Sequence, residues 1–220
     1  MPDPLVIATF WITGLTACNL FVDFLLWKYV GSLTEKREVV IQQLVGVVSQ
    51  AGMALWGFFN LFQPSPFELT WYLQSATIGF YAYDLLYMLS YKGGRKMYLF
   101  HAHHICTVLF LAHLQQNPYV CPPNTMNIMI MILELSAASI NINSFCKRFW
   151  NTYAKQVELA NIVIYFITRM VIYPIVLYTQ LYQFYVEHTL WNPTYGVPSL
   201  IFTLLHFLCI LWFRNMVLQF

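Results

Sequence analysis

Seven apolar runs divide the whole chain, and each is close to the roughly 20 residues that a helix needs to cross a bilayer. They fall at about residues 5–29, 39–62, 67–91, 97–115, 124–146, 157–182 and 199–217. The links between them are short, and none is long enough to form a soluble domain. The pattern predicts an all-α membrane protein, with a single polytopic domain over residues 1–220 that forms a bundle of seven transmembrane helices.

The composition agrees with lipid as the main solvent of the chain. Of the 220 residues, 59% are hydrophobic and only 9% are charged, whereas soluble domains carry roughly 25% charged residues. The net charge of +2 is too small to indicate a nucleic-acid partner. The first run lacks a basic start and is too long for a secretory signal, so we interpret it as a retained first span.

Positive charges alternate between the links. The links after spans two, four and six hold no Lys or Arg, whereas the links after spans one, three and five hold Lys36, Arg37, Lys92, Arg95, Lys96, Lys147, Arg148 and Lys155. Because cytoplasmic loops carry the excess of basic residues, we expect a lumenal or outside amino terminus and a cytoplasmic carboxyl terminus. The alternation requires every run to cross, which supports the count of seven.

Three histidines, His101, His103 and His104, lie near the start of the fourth run. Ionisable side chains are costly inside a membrane, so such a cluster indicates a functional site. A rise of about 1.5 Å per residue places Asp84 of the third span at the depth of His103 and His104. Asp84 would then orient one imidazole and raise its basicity for catalysis. The alternative is a polar contact between two helices.

The fifth and sixth spans hold the other polar candidates. Glu134 and Asn141 are seven residues apart and share one helical face. Arg169 lies about as deep as Glu134, so we predict a direct ion pair between them, which either clamps two helices or positions a polar headgroup. The residues expected to bind the substrate are His101, Glu134, Ser136, Asn141, Asn143 and Arg169.

No metal site is predicted from the histidines. A di-iron site needs several histidine clusters, and this chain has one. A single zinc ion beside Asp84 has no further support in the sequence. The five cysteines form neither a CxxC pair nor a pair within one outer loop, so no disulfide framework is expected. We also expect no bound cofactor.

An ordered set of motifs resembles a known family. The set consists of Tyr83-Asp84-Leu85-Leu86 before a basic turn, His103-His104, Glu134-Leu135-Ser136 with Asn141, and Ile167-Thr168-Arg169 with Tyr173-Pro174. Over about residues 37–217 the chain resembles the TLC domain, which ceramide synthases, the translocon-associated TRAM protein and several lipid-related membrane proteins share. Residues 133–137 lack the His-Asp-x-x-Asp arrangement of the synthases, so the chain is more similar to the small TLC-domain-containing proteins.

The resemblance implies a helix bundle around a central lipid-accessible cavity, a place in the endoplasmic reticulum and a role in lipid metabolism and homeostasis. An enzyme of this kind would be a lipid N- or O-acyltransferase that takes acyl-CoA as co-substrate and a lipid or sphingoid base as acceptor. His103 or His104 would act as base or nucleophile, with Asp84 beside it. The alternatives are a non-enzymatic lipid-binding, lipid-sensing or membrane-composition regulatory protein, and a purely structural bundle. The expected partners are membrane lipids, acyl-CoA and a second copy in a homodimer, but no nucleic acid.

Overall fold

The computed structural model describes residues 3–30, 37–64, 66–90, 97–187 and 189–220. The first five helices are α1 (Pro4–Val30), α2 (Arg37–Asn60), α3 (Pro66–Ser90), α4 (Tyr98–Gln116) and α5 (Pro123–Phe149). A 3₁₀ turn, Asn151–Tyr153, leads into α6 (Ala154–Tyr165), a π-helical segment (Phe166–Ile172), α7 (Tyr173–Val186) and α8 (Pro193–Gln219). The described ranges contain no β-strand.

Helices α6 and α7 and the π-helical segment between them follow one another without a break, as one rod over Ala154–Val186. The described residues therefore form seven helical rods, and the predicted all-α, seven-helix bundle is confirmed. Five of the rods are long and apolar enough to cross a membrane, which leaves out α3 and α4. Those two helices carry Asp84 and the histidine cluster and bury these polar side chains within the bundle.

Prolines and one asparagine fix where helices begin. Pro66, Pro123 and Pro193 occupy the first helical position of α3, α5 and α8, where a missing N–H costs nothing. The Asn192 side chain accepts a hydrogen bond from the Thr194 backbone N–H at 3.0 Å, which caps α8. Helix α8 therefore begins six residues before the seventh apolar run, within a stretch that the sequence indicated as a polar link.

Two further prolines lie inside spans and change the hydrogen bonding around them. Pro198 has no N–H to offer the Thr194 carbonyl one turn back, and this carbonyl instead pairs with His113 Nε2 at 2.9 Å. At Pro174, a proline inside an apolar run favours a kink, and the π-helical segment ends two residues before it. The wider π turn makes room for a ring that would clash with the preceding α-helical turn.

Helices α3 and α5 lie at the centre of the bundle. Helix α3 contacts α1, α2, α4 and α5, whereas α5 contacts α2, α3, α6, α7 and the π-helical segment. Helices α3 and α4 pack against each other, which brings Asp84 to the histidines expected at its depth. Glycines permit the closest approaches, since a Cβ on Gly79 would lie 2.8 Å from Trp11 Cβ of α1, and one on Gly57 would lie 2.9 Å from the Asn127 carbonyl of α5.

Candidate active site

A cavity of about 420 Å³ lies inside the bundle, between α2, α3, α4, α5, α6, α8 and the π-helical segment. Its volume falls in the range of roughly 300–1,000 Å³ that is usual for small-molecule sites. Apolar side chains form much of the wall. The ionisable and polar side chains that line it are Gln42, Gln43, Gln50, Tyr81, Asp84, His103, His104, Asn141, Ser144, Tyr165 and Arg169.

Apart from Gln50 and Arg169, which lie near the middle of their helical rods, these side chains lie towards one end of the bundle. Most of them come from the first half of α2 and α4 and from the second half of α3 and α5, which run in alternating directions. The same end carries Lys147 and Arg148 at the end of α5 and Lys155 at the start of α6, and we call it the basic end. Lys36, Lys92, Arg95 and Lys96, which support the predicted orientation, lie outside the described residues.

His104 and Asp84 are in direct contact in the cavity wall. His104 Nε2 lies 2.8 Å from Asp84 Oδ2, and His104 Nδ1 lies 2.7 Å from the Phe100 carbonyl oxygen. A carbonyl can only accept, so Nδ1 carries a proton and donates it. Nε2 therefore faces a second acceptor, and one further proton must be held between Nε2 and the Asp84 carboxyl group. Both imidazole nitrogens of His104 therefore already have hydrogen-bond partners.

His103 has a different environment, although it is the next residue. Its Nδ1 is buried without a hydrogen-bond partner. Its ring stands edge-on to the rings of Tyr81, His104 and Trp212, with centroids 5.9, 5.6 and 5.3 Å away. Because Nδ1 is enclosed and the ring lines the cavity, Nε2 is the nitrogen that a ligand can reach. Of the two adjacent histidines, only His103 has a ring nitrogen that is available to a ligand in the cavity.

Amide side chains of α2 hold the Asp84 side of the cavity in place. Gln42 Nε2 donates to Asp84 Oδ1 at 2.9 Å, so both carboxyl oxygens are engaged. Further along α2, Gln50 Oε1 accepts from Asn141 Nδ2 at 2.9 Å. Gly46 lies between these two contacts, and a Cβ there would lie 2.9 Å from Asn141 Nδ2. The glycine thus lets α5 approach closely enough for the amide pair to form.

The predicted ion pair between Glu134 and Arg169 is wrong. Arg169 Nε donates to Ser136 Oγ at 2.6 Å, Nη2 donates to the Leu133 carbonyl at 2.8 Å, and Nη1 lies 3.4 Å from Cys209 Sγ. Glu134 instead hydrogen-bonds to the Tyr81 side chain, and its Oε2 is buried without a partner. Helix α5 supplies a hydroxyl and a backbone carbonyl, and α8 supplies a thiol, so the guanidinium of the π-helical segment has neutral acceptors without the carboxylate.

The structure brings five of the nine predicted site residues to the cavity and leaves four outside its lining. Asp84, His103, His104, Asn141 and Arg169 line it. The four others are buried or half-buried nearby: Glu134 behind Tyr81, Ser136 against Arg169, His101 beside the Tyr98 ring, and Asn143 with an unpartnered Oδ1. That the nine residues act on a substrate stays a prediction.

Several lining residues were not singled out from the sequence. Gln42, Gln43 and Gln50 are amides in an apolar run, so the rule that exposed the histidines would have found them. Tyr81 precedes Asp84 by three residues and shares its face, which is a weaker signal. For Ser144 and Trp212 the local sequence offers no signal, because only the packing of α5 and α8 brings them to the cavity.

The remaining described histidines have structural surroundings. His113 pairs with the Thr194 carbonyl, and His206 stacks on Tyr173 with ring centroids 5.2 Å apart. Within the described part of the chain, no three His, Cys, Asp or Glu side chains gather where they could hold a metal ion. The cavity therefore offers acid–base groups and amides rather than a metal-ligand set.

Comparison with known families agrees with this arrangement. The model of the TLC domain, named after the TRAM, LAG1 and CLN8 proteins, matches residues 42–218. The chain belongs to the TLC-domain family. No curated protein and no solved structure matches the chain significantly. Together with its apolar helices, membership makes this TLC-domain protein a multipass integral membrane protein of lipid metabolism.

Proposed function

We propose that this TLC-domain protein is a histidine-dependent acyltransferase, which moves an acyl group from acyl-CoA to a lipid acceptor held in the cavity. The observation that carries the proposal is the contrast between two adjacent histidines. His104 has both nitrogens engaged, with a proton shared with Asp84, whereas the His103 ring lines the same cavity and its Nδ1 has no hydrogen-bond partner. His101 and His206 also bury a ring nitrogen without a partner, but neither of them lines the cavity, so His103 alone among these three presents its ring to a ligand there.

The reaction requires one proton to move and two bonds to change. Nε2 of His103 removes the proton from the acceptor oxygen or nitrogen, which then attacks the thioester carbonyl carbon. The new bond to carbon forms, the carbon–sulfur bond breaks, and the imidazolium of His103 returns the proton to the thiolate sulfur. The His104–Asp84 pair positions His103 by ring contact and adds a fixed dipole to the wall.

The lining combines polar and apolar side chains. Asn141, Gln50 and Ser144 would hold the headgroup of the acceptor, whereas Phe80, Met88 and Ile140 would contact an acyl chain. The basic end would face the cytoplasm, where acyl-CoA is available, and the membrane would be that of the endoplasmic reticulum.

The test compares His103→Gln with the matched control His113→Gln in purified protein. The assay follows release of free thiol from palmitoyl-CoA and acylated lipid by mass spectrometry, with a total lipid extract as acceptor. Because general base catalysis contributes about 10²–10⁴-fold, we expect His103→Gln to lose at least 100-fold in rate. His113→Gln should keep its rate, since His113 does not line the cavity.

Full activity of His103→Gln would reject the mechanism. If no thiol is released by the wild-type protein with any lipid fraction, while lipid copurifies with it, the lipid-binding alternative replaces the enzyme. In that case His103→Gln would leave the copurifying lipid in place, because the histidine then serves no chemistry.

A further inference from the structure

The charges of the cavity wall narrow the class of acceptor. We infer that the acceptor is an uncharged, hydroxyl-bearing lipid rather than an amine, so that the product is an ester; this rests on the acyl transfer proposed above.

An ammonium group in this cavity would find no free carboxylate. Asp84 is the one carboxylate among the described residues that line the cavity. Its Oδ1 accepts from Gln42, and its Oδ2 faces His104. Glu134 does not line the cavity, and its carboxyl group hydrogen-bonds to the Tyr81 side chain. A cationic ligand would have to share Asp84 with two groups that already engage its oxygens.

The positive charge in the same wall is not balanced by a direct contact. Arg169 is only 4% exposed, and its three hydrogen-bond contacts go to a hydroxyl, a backbone carbonyl and a thiol. No carboxylate lies within ion-pair distance of it among the described residues. Because charges interact more strongly inside a protein than in bulk water, this charge repels a second cation in the cavity.

The rest of the polar lining is neutral. Gln43 donates to Ser144 Oγ and Asn141 donates to Gln50 Oε1, and these amides and the hydroxyl keep further donor and acceptor sites, among them the unpartnered Gln43 Oε1. A lipid hydroxyl therefore finds partners without any change of charge. Its O–H bond then breaks towards His103, the new C–O bond forms as the C–S bond breaks, and the proton leaves on the thiol.

An alkylamine would enter at a disadvantage. With a solution pKa of about 10, only about one amine in a thousand is uncharged at pH 7, and this form is the nucleophile. A cavity that excludes the ammonium form must therefore select the minor species. A hydroxyl group carries no charge at pH 7, and it suffers no such loss.

In the experiment, purified protein is incubated with palmitoyl-CoA and equal amounts of hexadecan-1-ol and hexadecylamine. These two acceptors have the same alkyl chain and one acceptor atom each. Mass spectrometry measures ester and amide, with reactions lacking protein subtracted because amines react slowly with thioesters unaided. We expect ester to exceed amide by at least about tenfold at pH 7. Arg169→Gln removes the repelling charge and should raise the amide-to-ester ratio, whereas Arg148→Gln, an exposed arginine at the basic end, should not change it.

The outcomes separate the two proposals. Protein-dependent amide equal to or above ester would overturn the hydroxyl class and leave acyl transfer standing. Neither product from wild-type protein, with 1-monooleoylglycerol also inert as acceptor, would overturn the acyl transfer and the hydroxyl class together. The wild-type ratio decides the question even if Arg169→Gln fails to fold, and an unchanged ratio in a folded Arg169→Gln would reject Arg169 as its cause.

Discussion

The hydrogen bonds of His104 distinguish it from the neighbouring His103. Since the Phe100 carbonyl engages Nδ1 and Asp84 engages Nε2, His104 has no nitrogen left for a substrate. The sequence offered two equivalent histidines, and the hydrogen bonds assign them different tasks. In the proposed reaction, Asp84 would therefore act through His104 as a positioning residue and would not contact the acceptor.

Replacing Asp84 with asparagine tests this assignment. Asparagine keeps the shape and can donate to a neutral His104, but it cannot share a proton as a carboxylate does. We expect Asp84→Asn to keep a melting temperature close to that of the wild type and to lower acyl transfer by about 10²-fold. The measurements are thermal unfolding in detergent and product formation. Asp84→Ala serves as contrast, because it leaves His104 and Gln42 without partners and should also lower the melting temperature. Wild-type turnover in Asp84→Asn would contradict the assignment.

Cys121 permits a prediction outside the spans. It lies in the link between α4 and α5, half-buried, and burial raises the pKa of its thiol to about 12. The thiolate is the reactive form, so at pH 8 only about one thiol in ten thousand reacts. We expect iodoacetamide labelling of Cys121 to be slow at pH 8 and to accelerate about tenfold per pH unit up to pH 11. A rate that levels off near pH 9 would show an ordinary thiol; Cys121→Ser identifies the labelled site.

At the scale of helices, the close contact between α2 and α5 depends on particular glycines. Both helices supply walls of the cavity, and Gly46 and Gly57 face α5. A Cβ at Gly57 would lie 2.9 Å from a backbone carbonyl, which cannot move aside as a side chain can. Gly52 of the same helix has nothing within 4 Å of its Cβ position. Substitutions at Gly57 and Gly52 therefore distinguish the effect of packing on stability from the effect of helix propensity, within one helix.

We expect Gly57→Ala to destabilise the protein by about 1–3 kcal/mol, because the added methyl group overpacks the contact. Gly52→Ala should be neutral or stabilising by up to about 1 kcal/mol, since alanine is the better helix former. Thermal unfolding in one detergent measures both variants. Equal melting temperatures for the two variants would mean that α2 and α5 do not approach each other at Gly57 as closely as described.

For the whole molecule, the alternation of charged links predicts that the basic end faces the cytoplasm. Tyr153 at the basic end and Tyr119 at the opposite end are exposed to a similar extent, 65% and 66%, and form a matched pair. In sealed vesicles with the cytoplasmic face outward, an impermeant maleimide should label Tyr153→Cys directly and Tyr119→Cys only after permeabilisation. The Cys121→Ser background removes the native loop thiol. The reverse pattern of labelling would invert the predicted orientation.

The sequence alone was sufficient to predict the class of fold and the depth at which the site lies in the bundle. Apolar runs of spanning length can only be helices in lipid, because every backbone group must be satisfied within its own segment. Counting residues along such helices also predicts depth, which is why Asp84, His103 and His104 were expected together. These inferences need only the period and rise of a helix, and both are local properties.

Only the tertiary structure decided which side chains meet within that level. Depth does not fix the rotation of one helix against another, so the sequence placed Glu134 opposite Arg169, whereas packing gave Arg169 to Ser136 and the Leu133 carbonyl. The rotation of the helices also gave His103 and His104 different surroundings, and it brought Gln42 to Asp84. Rotation depends on which surfaces interlock across the whole bundle, as at Gly46 and α5, and no single span contains that information.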